Sequence, residues 1–481
     1  MALKQPFLDA VIDYCSQGIL PLHTPGHKQG AGIEAKLKAA LERWGLKLDI
    51  DPPLLPCGQR WVLPTALLTT AQKKAAALFG AAETFFLTNG TSAGIQAMFM
   101  AVGKQGKVIM PRQVHTSVIS AAIITGCTPI LLNPQRTSPD LPDSRLDPDQ
   151  LRYVLSTTDG ISAVFTQNPS YYGFAADLTQ IAQIAHEYRV PLLVDEAHGP
   201  HFCFSADLPL AALQAGADLV AQSTHKLLTS LTGSSMLHVA EDWRHINIGR
   251  FVDVIQSTSP SFLLLASLEA AVFQLAEAGE QLVGDTLDLA IDFRTRVKDL
   301  PGIKVLGDEE IRSLGYPDYD RTKLVLDFSD LGLSGLEAAA ILRQEHQIQT
   351  EMADFRRVLA VLGPGDTRDG TNRFEQALRH MAAKYNQGGR LPDPPVMPGF
   401  SDLAMTPREA FFADSAEVSL TQAAGRIAAE IIAPYPPGIP VVIPGEIITQ
   451  EQIQYLQELA IYGFNIAGTN GGVPRQIRVV I

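Results

Sequence analysis

Val190–His198 reads V-P-L-L-V-D-E-A-H, and Asp218–Lys226 reads D-L-V-A-Q-S-T-H-K. Each is a short apolar run that stops at polar residues. Runs of four to six apolar residues without strict alternation suit strands buried on both faces of a parallel sheet. Pro191–Val194 and Asp218–Ala221 are therefore expected strands, and similar runs recur at Thr84–Leu87, Lys107–Met110, Pro129–Leu132, Ser162–Thr166 and Ser235–Val239. Between them lie stretches of helical length: Ala66–Phe79, Thr91–Val102, Val114–Thr125, Asp177–Tyr188 and Leu208–Gln214. This alternation predicts an α/β fold whose large domain carries a mostly parallel sheet of about seven strands.

The pattern changes beyond Val239. Ser267–Glu280 reads as a connecting helix, and Lys304–Leu306 and Lys323–Phe328 resume an apolar alternation beside a helical stretch at Gly335–Arg343. Asn386–Phe400 (N-Q-G-G-R-L-P-D-P-P-V-M-P-G-F) has the Gly/Pro composition of a linker. A last unit holds an expected helix near Thr421–Ile432 and a Pro-rich turn at Pro434–Pro444. The expected divisions are an N-terminal segment (1–64), a large domain (65–290), a smaller α+β domain (291–390) and a C-terminal domain (400–481).

Composition narrows the function. With 38 Lys+Arg against 51 Asp+Glu the net charge is −13, and no Lys/Arg-rich run occurs. Nucleic-acid binding needs clustered cations, so it is not expected. Hydrophobic residues at 46% and charged residues at 19% suit a large core rather than disorder. No apolar stretch reaches the ~18 residues of a spanning helix, and the longest candidate, Val118–Leu132, is broken by Gly126 and Pro129. The N-terminus lacks the basic-then-apolar order of a signal peptide. The four cysteines, Cys15, Cys57, Cys127 and Cys203, form no C-x-x-C pair. Free thiols, no metal site and a cytoplasmic location are the expectations.

Four features carry chemistry. Lys226 follows an expected strand, at the sheet edge where ligands bind in such folds. A lysine there forms a Schiff base with an aldehyde once burial or a nearby cation depresses its ammonium; the bland alternative is a solvated loop lysine. Asp195 ends an apolar strand, where a buried carboxylate is costly unless paired. A protonated pyridine nitrogen is one such partner, and a turn-capping Asp is the alternative. Asp195 precedes Lys226 by 31 residues (226 − 195), about one helix and one strand, which brings both to one sheet edge. Thr84–Gly94 (T-F-F-L-T-N-G-T-S-A-G) is a strand, a small-residue turn and a helix, so the N–H groups of Gly90, Thr91 and Ser92 form a potential phosphate cup. The same stretch matches G-x-S-x-G, which supports a rival hydrolase with Ser92, Asp195 and His225. That rival leaves Lys226 without a purpose. His115 opens an expected helix, where an imidazole either lies flat on a cofactor ring or merely packs.

These residues, in this order, resemble the ornithine/lysine/arginine decarboxylase family of pyridoxal-phosphate enzymes, which have the fold type I (aspartate aminotransferase) architecture. The likeness runs nearly end to end: L-H-T-P-G-H-K-Q-G at Leu22–Gly30, F-F-L-T-N-G-T-S at Phe85–Ser92, H-T-S at His115–Ser117, V-D-E-A-H-G at Val194–Gly199 and Q-S-T-H-K at Gln222–Lys226. It continues through Q-S-T-S-P-S at Gln256–Ser261, T-P-R-E-A at Thr406–Ala410 and Y-P-P-G-I-P…P-G-E at Tyr435–Glu446.

The resemblance implies roles. Lys226 corresponds to the lysine that carries pyridoxal 5′-phosphate as a Schiff base, and Asp195 to the partner of the ring nitrogen. His115 falls where the family stacks an imidazole on the ring, with Ala197 on the opposite face. Thr91, Ser92, Ser223 and His225 fall at phosphate-contacting positions, and Ala93 stands where larger members carry a hydroxyl. His198 replaces a tryptophan of some larger members, beside the cofactor, with its role open. The implied reaction is decarboxylation of a basic amino acid, arginine ahead of lysine and ornithine. Glu446 is the candidate acceptor for the substrate's distal cation, and Arg408 a candidate partner for a carboxylate. The family's larger members carry an N-terminal assembly domain that this layout lacks. A homodimer or tetramer with the active site at the subunit interface is expected, with the divergent stretch Asp49–Pro64 at a neighbour's entrance. Another fold type I enzyme, an aminotransferase or lyase, and a non-catalytic pyridoxal-phosphate-binding paralogue are the alternatives.

Overall fold

The computed structural model describes residues 20–22, 32–44, 55–57, 60–62, 64–103, 106–133, 141–385, 391–399, 401–435, 438–467 and 476–481. Cys15, the Thr24–Gly30 motif and much of Asp49–Pro64 lie outside them.

The large sheet contains seven strands: β1 (Glu83–Leu87), β2 (Lys107–Pro111), β3 (Thr128–Leu132), β4 (Ile161–Gln167), β5 (Leu192–Asp195), β6 (Leu219–Gln222) and β7 (Ser235–Val239). Their order is β1-β7-β6-β5-β4-β2-β3. Only β7 runs against its neighbours; the other pairings are parallel. Every expected strand is present within about two residues, the usual uncertainty of an element's end.

The helix α1 (Pro64–Phe79) leads into the sheet, which is covered on both faces because successive strand residues point to opposite sides. Leu193, Leu219 and Ala221 pack with Ile95 and Phe99 of α2 (Gly90–Val102) and Val118 and Ile119 of α3 (Thr116–Thr125). Leu192, Val194 and Val220, one residue out of phase, pack with Leu151 of α4 (Pro148–Thr157) and Ile181 and Ile184 of α5 (Leu178–Glu187). Strands buried on both faces need continuous apolar runs, as the sequence has.

Leu208–Gln214 is not a helix. One turn closes through Ala215 N–H to Ala211 O (2.9 Å), hemmed in by Pro209 and by Gly216 at φ +96°. A second helix, α6 (Thr224–Leu227), is only four residues long and follows β6 directly. The connecting helix is longer than expected: α7 spans Phe262–Val297, with a break at Ala278 (φ −145°, ψ 21°). Its first half buries Leu268 and Leu275 against Phe79 and Phe86, and its second buries Phe293 and Val297 against the next sheet.

That sheet is antiparallel, in the order β8 (Lys304–Val305), β9 (Lys323–Asp327), β11 (Arg357–Val361) and β10 (Met352–Ala353). Leu324 and Leu326 from it share a core with Leu342 of α8 (Gly335–His346) and Phe374 and Leu378 of α9 (Arg368–Tyr385). After α10 (Pro407–Phe412), the last unit pairs β12 (Ser415–Ser419) with β15 (Gln476–Val480) and β13 (Ala433–Tyr435) with β14 (Asn465–Ala467), beside α11 (Gln450–Ile461).

The helix expected near Thr421–Ile432 does not form. Gly425 adopts φ +76°, and Ile427, Ala428 and Ile432 bridge to Ile447, Val479 and Val442. Ala428 and Ile432 thereby enter a core with Val442, Ile477 and Val479, so distant pairing overrides local helix propensity. Among the described residues no helix is long and apolar enough to cross a membrane.

Candidate active site

Parallel pairing of β5 and β6 sets Asp195 opposite Ala221. The chain leaves both strands at the same edge, and α6 then presents Lys226. Lys226 is half-buried, with its Nζ 3.0 Å from His198 Nε2 and 5.9 Å from the centre of the Tyr171 ring. Burial pushes the Lys226 ammonium down, against the opposing fields of Asp195 and Glu351. Burial pushes the Asp195 carboxyl up, opposed by Lys226 and by the Ala197 N–H that it accepts at 3.0 Å. His198 is 2% exposed, and burial drives it well below the ordinary imidazole range. The two nitrogens nearest each other thus both favour neutrality.

His115 caps α3: its Nδ1 accepts the Ser117 N–H at 3.2 Å and lies 2.9 Å from Ser117 Oγ. Burial first, and then the charge of Lys226, lowers it to about 4, so the ring is neutral near pH 7. The C-terminal unit borders it. Thr116 N–H donates to Gly438 O at 3.1 Å, and a β-carbon at Gly438 would meet His115 Nε2 at 3.4 Å.

A group of hydroxyls gathers at the starts of α2 and α6. Thr91 Oγ1 lies 2.5 Å from Ser223 Oγ and 3.1 Å from Ser235 Oγ, and Ser92 is exposed beside them. One element of the expected phosphate cup is corrected: the Gly90 N–H donates to Gly233 O at 2.8 Å, because φ +69° turns it toward that loop. His225 donates through Nδ1 to Ser234 O at 2.6 Å. The nitrogen that Asp195 would orient in a hydrolase triad is therefore engaged elsewhere, while Asp195 serves Lys226 and Ala197.

Glu446, the expected acceptor, already has a partner within the chain. It and Arg112 are both inaccessible to solvent and form a bidentate pair, Nε to Oε1 at 2.6 Å and Nη2 to Oε2 at 2.7 Å. The Ile443 N–H adds a third bond at 3.1 Å. A carboxylate so enclosed clamps the C-terminal unit to the end of β2, with both oxygens already engaged. Arg408 donates to the carbonyls of Ile123 and Ile124 at 2.8 and 2.9 Å, closing the C-terminus of α3 rather than orienting a ligand carboxylate.

The donor set fits pyridoxal phosphate. It combines a depressed amine, a carboxylate on the adjoining strand, a neutral imidazole and clustered hydroxyls at two helix starts. Among the described residues, His198 Nδ1 and Thr224 Oγ1 are buried without a hydrogen-bond partner. Such atoms are costly to leave unsatisfied, and a polar ligand at this edge would satisfy them. Among the described residues one group has metal-ligand spacing, Glu345, His346 and His380 on α8 and α9, and Glu345 there pairs with Lys384 at 2.9 Å.

Sequence reasoning missed a second layer. Tyr171, in N-P-S-Y-Y-G just past β4, packs on His198 with ring centres 4.5 Å apart and donates to Glu351 Oε1 at 2.6 Å. Lys323, at the start of β9, donates to Tyr171 O at 2.7 Å and is lowered by burial to about 7. Under the site Glu196 accepts from Gln222 and from the Ala212 N–H, both at 2.7 Å, and Gln222 meets His238 at 3.0 Å. Position at the C-terminal edge of β4 was the available signal for Tyr171. Glu351 and Lys323 carried no local signal.

The chain is similar to known proteins over nearly its whole length. Residues 5–370 match the family model described as Orn/Lys/Arg decarboxylase, major domain, and residues 396–468 match its C-terminal domain. The chain is 36% identical over 490 residues to arginine decarboxylase of Bacillus anthracis, covering 99% of this chain and 97% of that one. It is 37% identical over 484 residues to arginine decarboxylase of Halalkalibacterium halodurans, covering 99% and 98%. Its fold is similar to that of the E. coli constitutive lysine decarboxylase, with a TM-score of 0.74 at 19% identity, covering 99% of this chain and 82% of that one.

Proposed function

The chain belongs to the Orn/Lys/Arg decarboxylase family of carboxy-lyases, and from that premise we propose that it decarboxylates arginine to agmatine with pyridoxal 5′-phosphate. One observation carries the reading. The Asp195–Lys226 pair, at the ends of adjoining parallel strands with Lys226 on the helical turn that follows, occurs in a chain 36% identical over 99% of its length to a protein named arginine decarboxylase.

Each residue has a task. Lys226 holds the cofactor through its amine, and burial favours the neutral, nucleophilic form. Asp195 would face the ring nitrogen and, as an anion, favour its protonated form. His115, neutral and fixed by Ser117, would lie against the ring, with Ala197 on the other side. Thr91, Ser92, Ser223, Ser235 and His225 would hold the phosphate. Pyridoxal phosphate, when bound, accepts the electron pair left at Cα as CO2 departs. Lys226 and His198, 3.0 Å apart, deliver the proton that replaces the carboxylate at Cα. The reading includes a cytoplasmic homodimer or tetramer with the site at the subunit interface.

The test is a product assay on purified, cofactor-loaded protein with arginine, lysine and ornithine in parallel. Agmatine with stoichiometric CO2 is expected. Cadaverine or putrescine alone would move the substrate, and amino transfer to a keto acid without CO2 would overturn decarboxylation.

A further inference from the structure

Helix α8 ends on Glu345 and His346, and α9 carries His380 and Lys384 one turn apart, on one face of the helix. Beneath them the two helices share a core, with Leu342 of α8 against Leu378 and Met381 of α9. Across the seam His380 Nδ1 lies 3.3 Å from His346 Nε2. One donor atom from each of Glu345, His346 and His380 lies within 4.8 Å of the other two. We propose that these three side chains bind a divalent transition-metal ion, zinc foremost, which braces α8 against α9 in the unit built on the antiparallel sheet.

The spacing of the two nitrogens carries the assignment. Tetrahedral zinc takes imidazole nitrogens at about 2.0–2.1 Å, which sets two of them about 3.3 Å apart. The pair across the seam has that separation. It is longer than the roughly 2.7–3.2 Å of a good N–H···O hydrogen bond. A Glu345 oxygen within 4.8 Å closes on the third vertex by moving about 1.5 Å at most, a small swing for an exposed side chain. Solvent supplies the fourth ligand. Two imidazoles and one carboxylate suit zinc, copper or nickel, whereas calcium and magnesium take oxygen ligands.

The surroundings suit a cation. Both Glu345 and His346 sit in the last turn of α8, at the negative end of its dipole. Lys384 already places an ammonium there, with Nζ 3.0 and 2.9 Å from the two Glu345 oxygens, and the Tyr385 hydroxyl donates to Oε1 at 3.3 Å. That ion pair is exposed, and exposed pairs contribute little, so a dication held by two imidazoles displaces the ammonium. No local spacing announces the site, because His346 and His380 are 34 positions apart. None of the three ligands belongs to the group around Lys226. The bound ion therefore acts on the stability of the fold and takes no part in the reaction.

The experiment titrates zinc chloride into the cofactor-loaded protein by calorimetry and follows thermal unfolding in zinc and in EDTA. Wild type is expected to take up zinc and to unfold at a higher temperature as zinc rises, since an ion bound only by the folded state stabilises it. His346→Gln and His380→Gln should each weaken the binding by at least about 10–100-fold, the loss already seen when a residue behind a ligand is changed. Unfolding of both variants in EDTA should match wild type. Lys384→Met should instead tighten zinc about 2–5-fold, the worth of the exposed ion pair that competes for Glu345. No uptake up to about 1 mM zinc, or uptake unaltered in either histidine variant, overturns the site. Where a histidine variant unfolds early even in EDTA, Lys384→Met decides: tighter zinc supports the site, and unchanged or weaker zinc overturns it.

Discussion

Lys226 Nζ lies 3.0 Å from His198 Nε2, and burial drives both groups toward their neutral forms. With their affinities for a proton both lowered, either nitrogen can take a single shared proton from the other, and the member that carries it can release it to a carbanionic carbon and become neutral. His198→Phe, which keeps an aromatic against Tyr171, should retain bound-cofactor absorbance and lower kcat by about 10²–10⁴, the range of a lost general acid. Unchanged kcat would assign His198 to packing.

Removing the amine is more severe. Lys226→Ala should abolish the imine absorbance band on reconstitution and reduce turnover by at least about 10³-fold, since both covalent attachment and a proton-transfer group disappear. A retained band would place the attachment on another residue, with Lys323 the first to test.

The Arg112–Glu446 pair predicts a stability effect without a specificity effect. Removing one partner from an enclosed pair typically costs about 3–5 kcal/mol, because the other charge is left buried alone. Glu446→Ala should show that loss in urea unfolding, and Arg112→Met with Glu446→Met should recover most of it. A Glu446 variant that unfolds normally but accepts uncharged amino acids would return the residue to substrate recognition.

Stability should depend on pH through Glu196, His115 and His238. Burial raises the Glu196 carboxyl from 4.5 to about 8. The folded state then binds the extra proton between those values, so stability is fully present below about 4.5 and is lost as the pH rises through about 8. Burial lowers His238 from 6.5 to about 3 and His115 to about 4. Those rings bind fewer protons folded than unfolded, so stability falls as the pH drops below 6.5. Thermal unfolding from pH 4 to 9 should peak between the two slopes, and Glu196→Gln should flatten the alkaline one alone.

Arg408 gives the mildest prediction. Its two bonds to the last carbonyls of α3 also place a cation at the negative end of the helix dipole. Arg408→Ala should cost about 1–3 kcal/mol in unfolding, with kcat per folded molecule unchanged.

Much of this molecule was legible in one dimension. Burial on both faces demands continuous apolar runs, so all seven strands stood out. Asp195 and Lys226 stood out because a residue just past a parallel strand must emerge at the sheet's C-terminal edge. Leu208–Gln214 and Thr421–Ile432 misled because helical composition says nothing about partners: a proline and a left-handed glycine ended one, and bridges to Val442 and Val479 claimed the other.

What local pattern cannot carry is the identity of a distant partner. Glu446 stands in a conspicuous motif, yet its meaning is set by Arg112, 334 positions away. Glu351 stands in no motif and meets Tyr171 across 180 positions. The chain alone therefore determined the sheet, the edge that bears the chemistry and the pair Asp195–Lys226, because periodicity and loop length act over tens of residues. Only the tertiary structure decided which carboxylates are enclosed and which face the amine, because burial and electrostatic fields depend on distances in space that sequence separation does not encode.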